Sequence, residues 1–91
     1  MPKVEIYTKS WCRYSAHAKA HLDFKGVLYE EIDVTTDSIR EMEMVNRSGR
    51  HTVPQIFIDG HHVGGSDDLL AAEVSGRLDE LLSGLEQGEA A

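Results

Sequence analysis

Ninety-one residues with 41% hydrophobic content suffice for one ordinary globular domain over residues 1–91, with a core over about 3–83 and a frayed tail over 84–91. A net charge of −7 excludes nucleic acid as the main partner, and no apolar stretch nears the roughly 20 residues of a membrane span. One cysteine excludes an internal disulfide and suits a reducing compartment; with no signal-peptide pattern ahead of the first strand, the cytoplasm is expected.

In chain order, residues 3–8 alternate and predict a strand, and residues 13–25 predict a helix ended by Gly26. Val27-Leu28-Tyr29 and Ile32-Asp33-Val34 bracket a second strand. After the turn Thr35-Thr36-Asp37, Ser38 and Glu41 fit a capping box. Ile39, Met42 and Val45 then line one face of a helix ended by Gly49. Val53 to Ile58 predicts a third strand, Asp59-Gly60 a hairpin turn, and His62-Val63 the start of a fourth. Ser66 or Asp67 caps a last helix with Leu70, Val74, Leu78 and Leu81 inward, broken or kinked at Gly76. The order β-α-β-α-β-β-α implies a four-stranded mixed sheet flanked by helices: the first two strands parallel, the last two an antiparallel hairpin.

The single sulfur is the most informative feature. Cys12 lies between the first strand and first helix, in Lys9-Ser10-Trp11-Cys12-Arg13-Tyr14-Ser15. A cysteine at a helix N-terminus meets free N–H groups and a partial positive charge, which favour the reactive thiolate. Lys9 and Arg13 push the same way. Lys9, Arg13, Arg40, Arg47 and Arg50 all lie within the first 50 residues of an acidic chain, a distribution that suits a small anionic ligand.

Three motifs recur here in order: Tyr7-Thr8-Lys9 ahead of Cys-x-x-Ser, Thr52-Val53-Pro54-Gln55-Ile56-Phe57-Ile58, and Gly64-Gly65-Ser66-Asp67-Asp68. From Val4 to about Leu82 the chain resembles the glutaredoxins, most closely the short bacterial members with a thioredoxin fold. The resemblance implies glutathione as co-substrate and Cys12 as nucleophile. It implies a cis bond at Val53-Pro54, with Thr52 and Val53 beside the peptide backbone of glutathione. Gly65, Ser66 and Asp67 would take the γ-glutamyl group, and Lys9 the glycyl carboxylate, with Tyr14 beside the sulfur. The second-helix position used for that carboxylate falls on Glu41, an anion, so its neighbour Arg40 is the substitute. Arg13 stands where proline is common in the family, and either helps or obstructs the ligand.

Ser15 replaces the second cysteine of the dithiol class, so all redox chemistry passes through Cys12. Deglutathionylation of proteins or small disulfides needs only one thiol, and a monomeric, monothiol enzyme is the expectation. The alternative is a dimer that carries a [2Fe–2S] cluster on two Cys12 thiolates and two glutathiones. His17 and His21 are spaced to share a helix face, but no acidic or cysteine partner is evident, and they read as exposed or boundary residues; His61-His62 reads as solvent-facing.

Overall fold

A computed structural model describes residues 2–84. The elements are β1 (Val4–Thr8), α1 (Arg13–Phe24), β2 (Glu30–Asp33), α2 (Ser38–Ser48), β3 (Gln55–Ile58), β4 (His61–Gly64), α3 (Ser66–Ser75) and α4 (Arg77–Ser83). The sheet order is β2-β1-β3-β4. β1 pairs with β2 in parallel, and with β3 antiparallel; β3 and β4 form the antiparallel hairpin. This is the mixed sheet of the expected thioredoxin fold, with helices on both faces. The predicted tail lies outside the described residues, apart from Gly84.

Alternation along β1 explains the two layers, because successive side chains point to opposite faces. Val4 and Ile6, with Ile56 and Ile58 of β3, meet Ala18 and Leu22 of α1, Leu69 of α3, and Leu78 and Leu81 of α4. Each large aliphatic side chain fully buried there contributes about 1.5–3 kcal/mol. On the other face Tyr7, Ile32, Val34 and Phe57 pack against Met44 of α2. Glu5 also points to that face and is buried, yet it carries a charge. The Arg47 guanidinium of α2 meets it through both terminal nitrogens, at 3.0 and 3.2 Å, and donates to the Tyr7 hydroxyl at 2.8 Å. The same guanidinium stacks on Phe57, 4.0 Å from the ring centre. Tyr7 in turn donates to Glu43 at 2.6 Å.

Beside this charged layer only part of the expected apolar face of α2 turns inward: Val45 packs against the core there. Ile39 and Met42 are exposed, at 76% and 64%, while Met44 is fully buried. The α2 cap is Asp37, whose carboxylate accepts from the Arg40 N–H at 3.0 Å; the expected Ser38–Glu41 box does not form. Leu70 and Val74 likewise face outward, and Leu69 takes the core position. Gly76 does separate two helices, in a left-handed conformation (φ +84°) that L-residues avoid. The second strand is shorter than expected: Val27 and Tyr29 pack on the core as loop residues and Leu28 is exposed. β3 starts at Gln55, after Pro54, because proline has no N–H for the ladder. His62 is half-buried rather than solvent-facing, stacked 4.9 Å from Phe57 and bonded to Gln55 Oε1 at 2.7 Å.

Candidate functional site

The site gathers where the C-terminal end of β1, the segment before β3 and the N-terminus of α3 converge. Cys12 is the residue that starts α1, in an extended conformation, with its carbonyl accepting from Ala16 N–H at 3.2 Å. It is partly exposed. As a thiol, Sγ donates weakly to the Val53 carbonyl at 3.7 Å. Burial pushes this thiol up. The N–H and hydroxyl of Ser15, the N–H of Tyr14 and the charge of Lys9 outweigh it, and the pKa lies below the ordinary thiol value. Ser15 is buried, with Oγ accepting from Lys9 N–H at 3.3 Å, which leaves its hydroxyl proton for the sulfur. The serine thus occupies the position of a second thiol and supports the first.

The bond between Val53 and Pro54 is cis, as the family resemblance implies. Beside it lies an open hollow of about 250 Å³, lined by Tyr14, Arg50, Thr52, Val53, Pro54, Gly65, Ser66, Asp67 and Asp68. Its far wall is the start of α3. Neither Ser66 nor Asp67 caps this helix; Gly65 is the capping residue, and its N–H donates to Asp68 Oδ2 at 2.9 Å. Asp68 folds back over the glycine pair so closely that a Cβ on Gly64 would stand 2.3 Å from its Oδ2. Arg50 grips the same oxygen at 2.7 Å. The guanidinium, with help from the Gly65 N–H, holds the Asp68 carboxyl below its usual range. Asp67 is exposed beside this clamp, at the mouth of the hollow.

Seven of the expected residues therefore meet around one hollow: Tyr14, Thr52, Val53, Pro54, Gly65, Ser66 and Asp67. Lys9 reaches Cys12 by its charge but does not line the hollow. Arg13 is exposed at the first position of α1. Arg40 stands apart, paired with Glu43 at 3.1 Å. The basic patch expected from the sequence is also largely neutralised. Lys9 meets Glu41, Arg40 meets Glu43, Arg47 meets Glu5 and Arg50 meets Asp68. The pairing of Arg50 with Asp68 was not foreseen. The glycine–x–x–acid spacing from Gly65 to Asp68 is the signal for the cap; nothing local marks Arg50 as its partner. His21 finds an acidic partner across the fold, Glu73 at 2.7 Å.

The glutaredoxin family pattern matches residues 4–63. This chain belongs to the glutaredoxin family. It is 52% identical to glutaredoxin 3 of Escherichia coli (strain K12) over 82 residues, 90% of this chain and 99% of that one. Among solved structures, the solution structure of glutaredoxin from Brucella melitensis superposes with a TM-score of 0.80 at 52% identity, covering 90% of this chain and 89% of that one. The crystal structure of a buckwheat glutaredoxin–glutathione complex superposes at 0.83 with 26% identity, covering 90% and 77%. A glutaredoxin is a thiol oxidoreductase on the thioredoxin fold, and the activated Cys12 is the group in this chain suited to that chemistry. No helix among the described residues is long and apolar enough to cross a membrane.

Proposed function

We propose that this glutaredoxin reduces glutathione mixed disulfides by a monothiol route through Cys12. The observation that carries the reading is one activated sulfur against Val53, a residue of the hollow's wall, with a serine where a second sulfur would close a disulfide. The Cys12 thiolate attacks the glutathionyl sulfur of a mixed disulfide, forming a Cys12–glutathione disulfide and expelling the substrate thiolate. A second glutathione thiolate attacks the glutathionyl sulfur, releasing oxidised glutathione and restoring the Cys12 thiolate. A low-pKa thiol leaves faster, so the environment of Cys12 serves the second step as well as the first.

The residues divide the ligand between them. Backbone groups of Val53 pair with the cysteinyl unit as a short added strand, flanked by Thr52 and Pro54. N–H groups at Gly65, Ser66 and Asp67 receive the γ-glutamyl carboxylate, and the Asp67 side chain meets its ammonium. Tyr14 packs beside the disulfide. Lys9 faces the glycyl end; Arg13 and Arg40 lie outside the hollow, Arg40 held by Glu43. The glutathione bound to the buckwheat relative supports this ligand class. Glutathionylated proteins and small disulfides are the substrates, the acting unit is a monomer of one domain, and the compartment is the cytoplasm.

The alternative, a dimer that carries a [2Fe–2S] cluster on two Cys12 thiolates and two glutathiones, would need a second chain, since Cys12 is the chain's one thiol. The test is turnover of a glutathione mixed disulfide with glutathione and its reductase. Activity that vanishes in Cys12→Ser sustains the proposal; activity retained in that variant, or absent from the parent chain, overturns it.

A further inference from the structure

We propose that Glu41 is a specificity-determining residue: paired with Lys9, it disfavours ligands with a free glycyl carboxylate and favours those in which that carboxylate is masked as an amide or ester. This inference rests on the glutathione reading above.

Glutathione carries an anion at each end. One end has its place at the start of α3, and the cysteinyl unit is fixed between Cys12 and Val53. The remaining end must then extend past Cys12, away from α3. The cation on that side is Lys9, the residue whose charge reaches the Cys12 sulfur. It does not stand open. Lys9 Nζ is 3.1 Å from Glu41 Oε2, with the two side chains only 21% and 35% exposed. Trp11 lies beside the same ammonium, 5.7 Å from it at the ring centre.

The charge of Glu41 is well supported where it is. It lies in the first turn of α2, where the helix N-terminus favours an anion. The cations of α2 are no substitute, because Arg40 is held by Glu43 and Arg47 by Glu5. A glycyl carboxylate arriving at Lys9 therefore meets a second carboxylate already in contact with the ammonium. It either displaces a formed ion pair or shares it against like-charge repulsion. An amide at the same place brings no charge, and its N–H is a donor for Glu41. The ion pair thus discriminates by the charge of the ligand's third residue.

The test compares the mixed disulfides of glutathione and of its glycinamide analogue as substrates, with glutathione as the resolving thiol throughout, for the parent chain, Glu41→Gln and the double variant K9Q/E41Q. Glu80→Gln on α4 makes the same charge change away from the site. The parent chain is expected to show the higher kcat/KM with the amide disulfide. Glu41→Gln should lower the KM for the glutathione disulfide about fivefold, with kcat little changed, and reverse the preference. The double variant should lose that gain, and Glu80→Gln should match the parent. Both preferences should shrink as salt is raised. Equal KM for the glutathione disulfide and an equal amide-to-acid ratio in the parent and Glu41→Gln would overturn the inference while leaving the oxidoreductase reading intact. Failure of the parent chain to turn over either disulfide would overturn both.

Discussion

The two flanks of Cys12 are built on different principles. Toward α3 the site is main chain: the Val53 backbone, the glycine pair and the first N–H groups of the helix, locked by Asp68 and Arg50. Toward α2 it is side-chain charge: Lys9 and Glu41, with Trp11 alongside. Backbone groups survive most substitutions, so the first flank is robust unless its scaffold fails. A charge pair changes sign with one codon, so the second flank is where binding preference is easily altered.

Substitutions that break the first flank should do so through stability. Gly64 has φ +121° and no room for a Cβ beside Asp68. Gly64→Ala is expected to cost about 2–4 kcal/mol, read by denaturant unfolding. A loss under 1 kcal/mol would mean the clamp yields easily. Asp68→Ala should cost about 1–2 kcal/mol near neutral pH, since it removes a helix cap and an ion pair together. The sign with pH follows from the depressed carboxyl: its contribution is present above the ordinary aspartate range and lost as pH falls through the folded-state value. The gap between parent and variant should therefore narrow as pH falls below the ordinary aspartate range; a gap that stays constant would assign the loss to packing.

Substitutions around the sulfur should be read chiefly in its reactivity. Ser15→Ala removes a buried hydroxyl that favours the thiolate. The alkylation rate of Cys12 at pH 7 should fall about threefold, with the midpoint of its pH profile moved upward. Lys9→Gln should move the profile the same way but less, about twofold in rate, because Glu41 already offsets much of that charge. A larger effect from Lys9 than from Ser15 would reverse this ranking of the two sources.

Much of this design was legible in the residues. The parallel β1–β2 pair follows from the helix that joins them and the β3–β4 pair from the hairpin at Asp59-Gly60, and the place of Cys12 from the break between β1 and α1; the antiparallel β1–β3 pairing at the centre of the sheet was not legible. The inward faces of α2 and α3 were not. Spacing alone put Ile39, Met42 and Val45 on one face, but α2 docks against Glu5 and Tyr7, so the element that faces inward carries Arg47. A helix that packs on a charged strand need not turn its most apolar stripe inward. In α3 the doublet Leu69-Leu70 fits either rotation, and the choice is set by the position of Leu78 and Leu81 after the break at Gly76. The Arg50–Asp68 clamp joins residues 18 apart, a distance at which sequence periodicity carries no information.

The buried Ser15 hydroxyl has a consequence for how oxidation is stored. A chain with two neighbouring sulfurs can keep its oxidising equivalents to itself, in a ring whose opening does not depend on dilution. With serine in that place, every Cys12 disulfide is a bond to another molecule. Its lifetime then varies with the concentration of whichever thiol collides with it. Such a protein is less a battery than a gauge, its occupancy following the thiol pool around it.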